Sequence, residues 1–272
     1  SLLAVGPSAI YLVGLGVCYL SGDWSPTAVL LAQQLAIVLC VLPLVAALKP
    51  RLHSFRQWWE AAGLENRGYG WPTYVGSLAG VASEQVNRLA IAFWLDNTAV
   101  GYYGLAMNLT QPLKLIPAAV ATSFFREFAR VSRMPPKVLA LTAGACVGSL
   151  PLALVAFGSP LEVVYSRGFS GVGPMAQVAA FGAVLFGLGD LFNRFLGAHG
   201  EGRTLRDVAF LVGAVNSGGF FLLVPFWGAW GAVATAVAAG AVYLLFMLVS
   251  YNRRHLGLAA TVRGPEEEAH CP

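Results

Sequence analysis

Eight apolar stretches dominate this chain, at residues 2–20, 27–48, 69–95, 99–125, 138–157, 174–198, 208–226 and 228–251. Each is near or above the ~20 residues that a helix needs to cross a bilayer core of about 30 Å. Hydrocarbon offers the backbone no hydrogen bonds, so such stretches close their own bonds as helices. The predicted fold is therefore all-α, a polytopic membrane protein of about eight transmembrane helices.

The gaps between stretches set an orientation. Those after the second, fourth, sixth and eighth hold Lys49, Arg51, Arg56 and Arg67, then Arg126, Arg130, Arg133 and Lys137, then Arg203 and Arg206, then Arg253, Arg254 and Arg263. The other four gaps hold one cation, Arg167. The positive-inside rule places the cation-rich gaps in the cytoplasm, and an even number of spans puts both ends there. Trp24, Tyr165, Trp227 and Trp230 lie in or beside the cation-poor gaps and suit a membrane interface.

Composition agrees. A hydrophobic share of 57%, a charged share of 11% and a mean hydropathy of +0.67 leave too little polar surface for a soluble globule of this length. The net charge of +4 is spread by topology with no dense basic strip, which speaks against nucleic acid and for anionic lipid headgroups in the bilayer. Cys18, Cys40 and Cys146 sit inside apolar stretches and Cys271 in the tail, a pattern without a disulfide or metal signature. The chain opens on Ser1 within an apolar run and without a basic leader, so helices are expected to precede it.

Between the second and third stretches, Leu52, Phe55, Trp58, Trp59 and Ala62 recur at helical spacing opposite Arg56, Glu60 and Glu65. This spacing predicts an amphipathic helix in the headgroup plane, a tether over residues 49–68. Small-xxx-small spacings at Gly76 and Gly80, and at Gly144 and Gly148, suit close helix packing. Pro112 and Pro117 interrupt the fourth stretch and make it a candidate cavity liner.

Five ionisable residues fall inside stretches: Glu84, Arg88, Lys114, Asp190 and Arg194. A charge at the bilayer centre costs at least roughly 2.5–3.5 kcal/mol, so these side chains are expected to face the protein interior. Glu84 with Arg88, and Asp190 with Arg194, are spaced i, i+4 and can neutralise one another or face a substrate. Lys114 has no acidic residue three or four positions away. It calls for a partner on another helix or an anionic ligand. With Asn108 and Gln111 it forms a polar stripe at i, i+3, i+6. No metal-ligand spacing, P-loop or nucleophile motif accompanies these charges, so neither catalysis nor a cofactor is expected.

Residues 84–128, EQVNRLAIAFWLDNTAVGYYGLAMNLTQPLKLIPAAVATSFFREF, resemble the polysaccharide-repeat flippases of the Wzx type, in the multidrug/oligosaccharidyl-lipid/polysaccharide exporter superfamily. LEVVYSRGFSGVGPMAQVAAF and VNSGGFFLLVPFWGAWGAVATAVAAG are similar to later parts of that family, and the resemblance spans residues 69–251. It implies a partial two-bundle exporter fold lacking the first four helices. Residues 1–48 would be the last two helices of the first bundle, 49–68 a cytoplasmic linker, 69–251 a six-helix second bundle and 252–272 a cytoplasmic tail. The implied activity is the flipping of undecaprenyl-pyrophosphate-linked oligosaccharide repeats across the bacterial cytoplasmic membrane by alternating access, alongside other polysaccharide-assembly proteins.

On this map Arg88, Lys114 and Arg194, with Asn108 and Gln111, would bind the anionic substrate. Glu84 and Asp190 would balance charge or couple transport to protons or sodium. The family often places an acid where this chain has Asn87, which puts coupling at that position in question. A multidrug exporter, a lipid II flippase and a membrane-embedded polymerase or acyltransferase are the alternatives. The first favours acidic cavities, whereas the five intramembrane charges here sum to +1. The enzymes call for a large external loop or an intramembrane His/Asp pair.

Overall fold

The computed structural model describes residues 2–22, 25–48, 63, 66–158 and 171–263. The amphipathic positions 52–62, most of the external loop after the fifth stretch, and the tail beyond Arg263 lie outside the described residues. The described chain is helical throughout, without a strand. Its helices are α1 (Leu2–Ser21), α2 (Pro26–Leu48), α3 (Trp71–Trp94), α4 (Asn97–Ser123), the short α5 (Phe125–Phe128), α6 (Pro136–Ala156), α7 (Val172–Ala198), α8 (Gly202–Trp227) and α9 (Ala229–Arg263). A π-helical turn, Asn66–Gly70, leads into α3.

Among the described residues, four helices are long and apolar enough to cross a membrane: Pro136–Ala156, Val172–Ala198, Gly202–Trp227 and Ala229–Arg254. The protein is a helical membrane protein. Shorter apolar helical runs occur at Ala9–Ser21 and Thr27–Pro43. α3 and α4 fall outside that set, and both carry polar residues in mid-helix, such as Asn87 and Arg88 in α3 and Asn108, Gln111 and Lys114 in α4. α9 continues past the predicted end of its stretch at 251 to Arg263.

Local chemistry sets the helix ends. Asp96 is extended and its carboxylate accepts a 2.6 Å hydrogen bond from the Ala99 amide, satisfying one of the orphan donors at the start of α4. Proline near the first turn starts α3 and α6, where a missing N–H costs nothing. The α8–α9 turn passes through Gly228 at φ 58°, a left-handed conformation that favours glycine.

The chain divides into two compact units, Ser1–Ala62 and Gly63–Pro272. In the first, α1 and α2 pair, with Gly14 admitting Ala32 and Gly6 admitting Cys40. In the second, α3 packs on α8, α8 on α9, α9 on α7 and α7 on α4, while α4 returns to α3 through a much lighter contact. α6 lies outside this ring against α4 and α7.

Glycines make the close crossings. A Cβ on Gly240 would sit 2.7 Å from the Gly182 carbonyl oxygen, so α7 and α9 touch backbone to backbone there. One on Gly219 would sit 2.5 Å from Thr235 on α9. The predicted small-xxx-small pairs fare unevenly. Gly76 meets the Arg206 backbone of α8, but Gly80, Gly144 and Gly148 have no neighbour within 4 Å of an added Cβ. The crossings that matter fall where helices happen to intersect, and short spacing alone does not mark them.

Candidate functional site

Five helices of the second unit line a half-open cavity of about 730 Å³. That lies within the range of about 300–1,000 Å³ usual for small-molecule sites. Its position follows from the ring: α3, α4, α7, α8 and α9 each give one face to it, and the small residues Gly80, Gly104 and Gly213 on those faces leave it open.

Charge reaches the cavity from α4 and α3. Asn108, Gln111 and Lys114 all line the cavity, so the helical spacing that grouped them puts them on one wall. α4 runs unbroken through Pro112 and Pro117. Pro112 removes the donor that would serve the Asn108 carbonyl, placing a polar backbone group at the same wall. Arg88, from α3, lines the cavity as well. The side chain of Glu84 lies outside the described residues. Among the described lining residues there are two cations and no carboxylate.

Lys114 is built in from three helices. Its ammonium lies over the Phe186 ring, 5.0 Å from the centroid. Phe186 stacks on Tyr243 of α9 at 4.4 Å, and the Tyr243 hydroxyl accepts a 2.8 Å hydrogen bond from Asn193 Nδ2. Phe186, Asn193 and Tyr243 all line the cavity.

The predicted site residues Asp190 and Arg194, on α7, behave otherwise. Arg194 Nε donates to Asp190 Oδ2 at 2.9 Å, and neither residue lines the cavity. The i, i+4 spacing thus resolves as local pairing, because one turn of helix is enough to bring guanidinium and carboxylate together.

The opposite wall, α3 against α8, is polar, and apart from Arg88 its described lining residues are uncharged. Asn216 Nδ2 reaches Ser83 Oγ at 3.4 Å, and Ser83 Oγ lies 3.4 Å from Ser217 Oγ. These are long contacts for hydrogen bonds. The carbonyl oxygens of Asn87 and Asn216 are buried without a protein donor, and Asn87 is only 3% exposed. Ser83, Asn216, Asn193, Phe186 and Tyr243 are functional-wall residues that the sequence pattern does not single out. Only the first had a usable signal: Gly76, Gly80, Ser83 and Asn87 recur at spacings of four, three and four, a small and polar stripe on one helix face.

In comparisons with known proteins, no family model, no curated protein and no solved structure matches the chain.

Proposed function

We propose that this protein is a membrane transporter that moves an anionic, lipid-linked oligosaccharide across the bacterial cytoplasmic membrane, with all eight long helices spanning and both described ends in the cytoplasm. The observation that carries this reading is the cavity: about 730 Å³, ringed by five helices, with Arg88 and Lys114 on its wall and no carboxylate among the described lining residues. Ionisable side chains at membrane depth face the protein interior or a water-filled cavity, pair there, and mark substrate or ion pathways. An anion such as a polyprenyl-linked pyrophosphate matches their sign, and the amides of Asn108, Gln111, Asn193 and Asn216 offer the donors and acceptors that sugar hydroxyls use. A cavity for cationic drugs would call for the reverse charge.

The resemblance of residues 69–251 to polysaccharide-repeat flippases supports the same cargo, an undecaprenyl-pyrophosphate-linked repeat unit carried by alternating access. The light contact between α3 and α4 is the one weak joint in the ring and the natural route by which a polyprenyl tail stays in lipid while its head group enters. The test is Lys114→Ala in the full-length protein. It is expected to reduce surface-polysaccharide export without changing protein level or insertion, and normal export would remove Lys114 from the pathway.

A further inference from the structure

We propose that Phe186 is a positioning residue for Lys114, and that the column Asn193–Tyr243–Phe186 exists to hold the ammonium at the cavity wall; this rests on the anion-carrying reading above. Several observations converge on it. Lys114 comes from α4, whereas Phe186 comes from α7 and the ring stacked on it from α9, so the contact is tertiary and is not a by-product of helix spacing. The ring of Phe186 is engaged twice: Tyr243 stacks at 4.4 Å, which leaves no room on that face for an ammonium, and Lys114 Nζ sits over the ring at 5.0 Å.

Two glycines flank Phe186 and make the arrangement feasible. A Cβ on Gly187 would lie 2.5 Å from Pro117 Cγ, so its absence lets α4 approach α7 one turn beyond Lys114. A Cβ on Gly189 would lie 2.5 Å from Tyr243 Cδ1, so its absence lets the tyrosine ring lie beside Phe186. The Tyr243 ring is in turn fixed at its far end by Asn193.

An aromatic face suits a lysine that must bind and release an anion. It attracts the ammonium through the ring quadrupole without adding a countercharge. It also restrains a flexible four-carbon stem before the ligand arrives, which lowers the ordering cost of binding.

Two measurements on the full chain in lipid nanodiscs test this. Lys49, Lys114 and Lys137 are the only lysines in the sequence, so ¹³C-dimethylation, which keeps the charge, gives a sparse set of methyl resonances, and Lys114→Arg assigns one by its loss. The Lys114 resonance is expected upfield, shifted by the ring current, in the wild type and in Phe186→Tyr, and at an ordinary position in Phe186→Leu. The second measurement is affinity for farnesyl pyrophosphate. Phe186→Leu is expected to weaken it about 3- to 10-fold, Phe186→Tyr to restore it, and Phe186→Leu to add nothing on a Lys114→Ala background.

An unshifted Lys114 resonance in the wild type overturns the proposal. So does an unchanged affinity in Phe186→Leu, or an equal loss with and without Lys114. If Lys114→Ala itself binds the probe as well as wild type, the anion-carrying reading falls, and the resonance in the same preparation still decides the positioning.

Discussion

Lys114 and Arg194 are both cations inside long helices, yet the molecule uses different means to accommodate them. Arg194 is matched by Asp190 one turn earlier on its own helix, 2.9 Å away, and stays off the cavity wall. Lys114 has no such neighbour in sequence and is held over Phe186, an aromatic ring on a different helix, at the junction where α4, α7 and α9 bound the cavity. A charge with an i, i+4 partner can be buried by any helix wherever it sits. One without must be accommodated by tertiary structure, and that requirement ties its position to the fold's interior space.

The largest expected effect separates the two cations directly. Lys114→Ala should weaken farnesyl pyrophosphate binding about 10- to 100-fold, the scale of a lost hydrogen bond to a charged group. Arg194→Ala should change it less than about 2-fold, since its interaction is worth only about 0.5 kcal/mol and is made elsewhere. Equal losses in a titration of both variants would erase the distinction.

Next in size is Gly187→Val, which forces a side chain against Pro117 and pries α4 from α7. Overpacking of this kind costs roughly 1–3 kcal/mol, to be read as a lowered thermal midpoint in detergent, with the Lys114 wall lost along with it. Gly148→Val, on α6 with no neighbour within 4 Å, should leave the midpoint in place. The smallest effect sharpens the self-neutralising pair: Asp190→Ala should lower the midpoint more than Asp190→Ala with Arg194→Ala, because the double variant leaves no unmatched charge. Additive losses would show that the two residues do not act as a pair.

Much of this architecture is legible in the sequence itself. Each apolar stretch falls on a long helix among the described residues, four of them long and apolar enough to cross a membrane, and Asn108, Gln111 and Lys114 fall on one wall because helical spacing is nearly rigid. The rotation of a helix about its axis is not legible in this way. Asp190 and Arg194 meet the same criteria as Lys114 but lie off the wall, while Asn193, between them, lies on it. Phe186 and Tyr243 are hidden because an aromatic in an apolar run looks like packing until its neighbour is known. Asn216 does not stand out as a site because an uncharged polar residue in an apolar run calls for no partner in the way a charge does, though burying one unbonded is also expensive.

Asn87 and Asn216 bear on how the cavity is filled. Each presents a buried carbonyl oxygen with no protein donor, at a cost of about 1–3 kcal/mol while it stays dry. A space with that wall recruits water, and any cargo that enters must exchange hydration for its own hydroxyl or amide protons at nearly equal strength. Such an exchange gives little net adhesion at these two amides, so under the proposed function the grip would come from Arg88 and Lys114 and the amides would ease release.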